Sequence, residues 1–169
     1  METELILSAG GLPPLSARGC TQELMPISNG SLKRTVNGEL VMVGSPVHKY
    51  RSVISCDDKT VMATEGLYPG IEITVGCIQR LWQKVMPDPA NSVVLLDRAP
   101  IEGSVAVVDV DQQMIPVVSI DQQQVRLLDR QKIYYVSYRP WLAMRMVTYR
   151  LMTNEWGIKS GWRLELEEI

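Results

Sequence analysis

The sequence contains no phenylalanine and a single histidine, His48, among its 169 residues. One imidazole leaves little material for acid–base chemistry near neutral pH, where histidine is the side chain best suited to the task. Cysteine is scarce too. Cys20, Cys56 and Cys77 include no CxxC pair, so a zinc site would have to borrow His48 without any ligand spacing to support it. No cysteine stands in a nucleophile-bearing strand-to-helix turn that could use His48 as its base. Also missing are GxGxxG, GxxxxGK[ST], HExxH and DxDxDG. The expectation is a protein with no enzymatic activity, no cofactor and no metal, whose thiols are small packing groups on strands in a reducing cytoplasm.

An excess of charge of one sign is lacking as well. Lys+Arg number 17 against Asp+Glu 19, a net charge of -2, so nothing in the balance favours capture of a phosphate backbone. Apolar runs are only a few residues long, far short of the roughly 18 that span a bilayer. The opening METELILSAGG has no basic segment ahead of a long apolar stretch, so neither a membrane partner nor a signal peptide is expected. What is present is ordinary for a folded protein: 46% hydrophobic and 21% charged residues, enough to build one core.

Strand patterns run through most of the chain. Residues 1–31, with Gly10, Gly11, Pro13, Pro14 and Gly19, read as an N-terminal arm or loop, and 32–169 as a single β domain. In SLKRTVNGELVMVG two apolar-rich runs flank Asn37-Gly38, the dipeptide of a two-residue type I′ hairpin turn. Strands are expected over 50–56 and, with a clean period of two, over Ile71, Ile73, Val75 and Cys77. The turn between them is Gly66-Leu67-Tyr68-Pro69-Gly70. Residues 79–92 read as a connection, because Pro87 and Pro89 end any helical pattern. Two apolar runs, each followed by Asp-Gln-Gln at 111–113 and 121–123, read as consecutive hairpins with turn glutamines. Strands follow over 132–139 and 141–152, with Pro140 marking a bulge, bend or edge. After a turn at 154–157, a last strand alternates Trp162, Leu164 and Leu166 with Arg163, Glu165 and Glu167. About nine or ten strands and no amphipathic helix make an all-β protein, a β-sandwich or barrel-like domain with long hairpins and an extended N-terminal arm.

The most unusual local composition is YYVSYRPWLAMRMVTYR, where Tyr134, Tyr135, Tyr138, Trp141 and Tyr149 interleave with Arg139, Arg145 and Arg150. It can be a hairpin whose aromatics cover the core, a protein–protein interface, or a stacking platform for single-stranded nucleic acid. Tyr138, Arg139, Trp141 and Arg145 are the interface candidates. Nine methionines suit adaptable contact surfaces. Glu165, Glu167 and Glu168 could be paired with Asp109 or Asp111 as a carboxylate site, but their alternation with Leu164 and Leu166 reads as a solvated strand face.

The phrases GCTQELMPI, LKRTVNGELV, KYRSVISCDD, GLYPGIEITVGCIQRL, YRPWLAMRMVTYRL and EWGIKSGWRLELEEI together resemble small β-rich virion proteins of tailed bacteriophages. The resemblance implies a structural role in the tail, the baseplate or the head-to-tail junction, with identical copies arranged in a ring or lattice. It implies as partners copies of the chain and other virion proteins, with nucleic acid only as a genome passing through an assembled channel. Localisation would be the virion, after synthesis in the host cytoplasm. Exposed strand edges and the arm would dock on neighbouring subunits, with residues 1–31 and 84–104 making the contacts. The competing expectation is a carbohydrate- or peptide-binding β module, in capsid decoration or receptor recognition, that reads its ligand through the Tyr/Trp-rich hairpin.

Overall fold

A computed structural model of the chain describes residues 3–27, 30–44, 48–156 and 159–169. Among these residues there is no helix and there are fourteen strands, so the fold is all-β. In chain order they are Ile6–Leu7 (β1), Thr21–Ile27 (β2), Ser31–Arg34 (β3), Leu40–Val43 (β4), Lys49–Asp58 (β5), Glu72–Gly76 (β6) and Leu81–Val85 (β7). Val93–Leu95 (β8), Ala106–Asp109 (β9), Val117–Asp121 (β10), Gln124–Leu127 (β11), Tyr134–Tyr138 (β12), Trp141–Thr153 (β13) and Ser160–Glu168 (β14) complete the series. The sheets are open, and none of them closes into a barrel among the described residues. The chain expected to form one domain divides into two compact units: Thr3–Ser8 with Thr74–Leu142, and Ala9–Ile73 with Ala143–Ile169.

In the first unit two three-stranded antiparallel sheets, β7-β12-β9 and β10-β11-β8, share one core. Val85, Val107, Tyr134, Val136 and Tyr138 from the one meet Val94, Val125 and Leu127 from the other, with Leu96 beside them. Strand β7 corrects the reading of 79–92 as a connection. Its partner β12 holds it in register from Tyr134↔Val85 to Tyr138↔Leu81. Leu81 and Val85 turn inward while Trp82 and Lys84 face solvent, and the prolines that rule out a helix only follow the strand. A short antiparallel pair, β1 with β6, belongs to the same unit.

The second unit is a sheet in the order β13-β14-β5-β2, all antiparallel. The period of two read in the last strand is its buried face: Trp162, Leu164 and Leu166 are fully buried and stand opposite Cys56, Ile54 and Ser52 of β5. The described part of the N-terminal stretch holds more structure than an arm would. Thr21–Ile27 pairs with β5, and the loop before it folds over the end of the sheet, where Ser16 and Ala17 are buried and the Ser16 carbonyl accepts the Trp162 indole N–H at 2.6 Å. The loop is fastened to the far end of β5. Arg18 grips Asp58 through its backbone N–H and guanidinium, and the Leu15 carbonyl accepts from the N–H groups of Lys59 and Thr60.

The Asn37-Gly38 hairpin is present as β3 and β4, with a different turn. Gly38 N–H donates to the Thr35 carbonyl and Thr35 N–H to the Glu39 carbonyl, both at 2.9 Å. Only Gly38 takes a positive φ, 83°, so this is a type I turn closed by a left-handed glycine. The first Asp-Gln-Gln turn repeats the pattern. Gln112 N–H donates to the Asp109 carbonyl, Asp109 N–H donates to the Gln113 carbonyl, and Gln112 takes the left-handed position at φ 61°. The second is a two-residue turn between Asp121 and Gln124, with Gln122 at φ 51°. Pro140 separates β12 from β13, while the bulge in β13 falls between Met146 and Thr148. Of the turn read from sequence at 154–157, Gly157 lies outside the described residues.

Candidate interaction surfaces

The four interface candidates do not present one surface. Tyr138 is in the core of the first unit, 1% exposed, beside Tyr134 and Val136. Arg139 is largely buried and bonded locally: its Nε donates to the Cys77 carbonyl at 2.8 Å, and Nη1 pairs with the Glu4 carboxylate at 2.8 Å. Trp141 is half-buried, and a methyl group on Gly76 would lie 3.0 Å from its ring. Arg145, in the second unit, is exposed and paired with Glu72. Of the five aromatics in this segment, Tyr134 and Tyr138 are packing groups, while Tyr135, Trp141 and Tyr149 are half-buried. Tyr134 is buried as well, and its hydroxyl donates to Asp129 at 2.7 Å. That bond to a carboxylate, helped by burial, raises the phenol pKa above its ordinary value.

Two other places carry exposed apolar groups. The larger is the ribbon of β3 and β4 in the second unit. Among the described residues these strands form a two-stranded sheet of their own, and every residue from Ser31 to Gly44 is exposed. The register, Leu32↔Met42 and Arg34↔Leu40, then Ser31↔Val43 and Lys33↔Val41, puts Leu32, Met42 and Leu40 on one face and Val43 and Val41 on the other. Both faces are therefore apolar on β4, while β3 adds the charges of Lys33 and Arg34. A two-stranded ribbon is marginal in water by itself, and its outer edges offer unpaired backbone groups. Val36 at the tip is fully exposed. Covering a Leu, Val or Met side chain completely is worth about 1.5–3 kcal/mol, so these half-exposed groups hold a substantial reserve for association.

The second place is the outer face of β7-β12-β9 in the first unit. Trp82, 62% exposed, stands opposite Ser137, diagonal to Tyr135 on the same face. With Val108, Asp109, Val110 and Gln112 these two aromatics line a cavity of about 530 Å³. Asp109 shapes the rim: its Oδ1 accepts the N–H groups of Asp111 and Gln113, each at 2.9 Å, holding the turn that carries Gln112. Trp82 lies in the stretch that reads as a connection on account of Pro87 and Pro89. The signal was its alternation with Leu81, Gln83 and Val85.

Among the described residues no group of three or more His, Cys, Asp or Glu is placed to hold a metal ion. No protein-family model, curated protein or solved structure matches this chain.

Proposed function

We propose that the chain is a structural subunit of a tailed-phage virion, a tail or head-to-tail junction protein that assembles as a homo-oligomeric ring. The observation that carries the assembly role is the β3–β4 ribbon, whose strand β4 is apolar on both faces and whose residues are all exposed. Apolar surface of this kind marks a site of protein contact, and a strand edge can extend its sheet across a subunit boundary. The virion assignment is supported by the resemblance of the phrases spread over residues 19–80 and 134–169, together with the all-β fold. The β2 strand is already paired with β5, so the ribbon takes the docking role expected of the N-terminal arm. Partners in this reading are copies of the chain and other virion proteins.

Light scattering across a concentration series, with negative-stain images, tests it. The expected result is a defined multiple of 19.0 kDa, or rings. The pair Leu40→Lys with Met42→Lys, on one exposed face, should weaken association by about tenfold or more, since losing about 1.4 kcal/mol is enough for that. A strict monomer at high concentration that also fails to join purified virion parts would overturn the proposal.

The cavity beside Trp82 and Tyr135 favours a second reading, a carbohydrate-binding module, because the exposed Trp82 indole beside the half-buried Tyr135 ring can stack on a sugar ring while Gln112 hydrogen-bonds its hydroxyls. In that case a glycan array gives hits that Trp82→Ala removes without shifting Tm, and an array with no hits rejects it.

A further inference from the structure

The strongest unexplained arrangement in the molecule is a pair of thiols in the second unit. Strand β2 opens with Thr21 opposite Ser55 of β5, and the next residue outward on each side is Cys20 and Cys56. The two thiols are close enough to interact electrostatically. Each also reaches the carbonyl of a neighbouring loop residue, Cys20 Sγ that of Ala17 at 3.2 Å and Cys56 Sγ that of Arg18 at 3.4 Å. Directly opposed residues on antiparallel strands have Cα atoms about 4.5–5.5 Å apart, inside the range a disulfide spans. Both cysteines are reduced in the structure.

We propose that Cys20 and Cys56 are an oxidative modification site, a dithiol that closes to a reversible cross-strand disulfide when it meets a low-molecular-weight disulfide such as oxidised glutathione. Cys20, half-buried, is the thiol that a reagent meets first, whereas Cys56 is 3% exposed. The Cys20 thiolate attacks one sulfur of oxidised glutathione, the glutathione S–S bond breaks, and a Cys20–glutathione mixed disulfide forms as one glutathione thiolate leaves. The Cys56 thiolate then attacks Cys20 Sγ, the mixed disulfide breaks, and the second glutathione leaves. Two protein thiols are oxidised, one disulfide is reduced to two thiols, and the two protons given up by the cysteines end on the two glutathione molecules.

The site has its own rate control. Burial first, then the neighbouring Cys20 thiol and the charges of Asp58 and Asp57, push the Cys56 pKa up to about 12. At neutral pH the resolving thiol is protonated, so ring closure is slow and speeds up with pH. Cys56 also lines a cavity of about 360 Å³ with Gly19, Thr21, Asp57 and Trp162. Once formed, the bond would close the loop that contains the β3–β4 ribbon, at the end of the β2–β5 pair far from it.

The test uses the full chain, freed of reductant and incubated with oxidised glutathione at about pH 7 and about pH 9. Free thiols are then alkylated, and peptides are mapped without reduction. The expected result is a Cys20–Cys56 peptide link with Cys77 still alkylated, faster formation at the higher pH, and a rise in Tm of about 5–10 °C reversed by reductant. Cys20→Ser should give no link, Cys56→Ser should stop at one glutathione adduct on Cys20, and Cys77→Ser should behave as the parent. Full alkylation of Cys20 and Cys56 in the parent chain after treatment at the higher pH would overturn the proposal, as would a link involving Cys77. Both readouts come from the unmodified sequence, so they stand even if a variant fails to fold.

Discussion

Arg139 and Arg145 show how far neighbouring residues of one composition can diverge in role. Arg139 satisfies the Cys77 carbonyl and both the backbone and carboxylate of Glu4 from a largely buried position, whereas Arg145 and Glu72 form a pair in solvent. Removing a buried charge-assisted network leaves its partners unpaired, so Arg139→Ala should cost about 2–3 kcal/mol. Arg145→Ala should cost less than about 1 kcal/mol, and urea midpoints of the two variants would separate them. Asp58 makes a prediction of a different kind. Hydrogen bonds from the Arg18 guanidinium, backed by the N–H groups of Arg18 and Lys59, hold its carboxyl well below the usual carboxylate range. The unfolded chain therefore binds this proton more readily than the folded one. The contribution is present above about pH 4 and fades as pH falls below it. Asp58→Asn should lower Tm at neutral pH and flatten its fall between about pH 5 and pH 2. Which of these residues faced inward was not legible in the sequence. In YYVSYRPW the inward set Tyr134, Val136 and Tyr138 does alternate, but a tyrosine also stands between them at 135, so residue type alone does not separate the faces, and Tyr138 reads as a contact residue although it is core.

Among the elements, the legible ones are those with one wet face. The alternation in β5, β6 and β14 survives into the structure because each has a buried side and a solvated one, and a slip by one residue would invert them. Strand β7 was hidden because its inward set includes Gln83, whose amide donates to the Leu95 carbonyl, so polarity and orientation part company there. The two type I hairpins give a direct comparison. Thr35–Gly38 and Asp109–Gln112 share their hydrogen bonds, yet one places glycine and the other glutamine in the left-handed position. A side chain there costs about 1 kcal/mol, so Gln112→Gly should raise the unfolding free energy by about 0.5–1 kcal/mol and Gly38→Ala should lower it by about 1 kcal/mol. Chemical denaturation of the two variants checks both signs. The ribbon itself was legible from Asn-Gly between two apolar runs, but that no further strand joins it among the described residues was not, since partners distant in sequence leave no local mark.

The molecule as a whole is threaded so that the second unit is begun, left and finished later. Ala9–Ile73 supplies β2 to β5, the chain then builds the first unit, and only afterwards do residues 143–169 return with β14 to pair Ser160 with Asp58. Such distant pairing is slow to form, because the closure entropy is spent before the contacts are made. On the ribosome this has a consequence. When β5 emerges, the strand that covers Ile54 and Cys56 has not been made, and a nascent chain must wait through everything from β6 to β13 with that edge bare. A polypeptide that stops before Ser160 would leave the β14 edge of β5 unpaired, so it should aggregate or be digested more readily than the full chain.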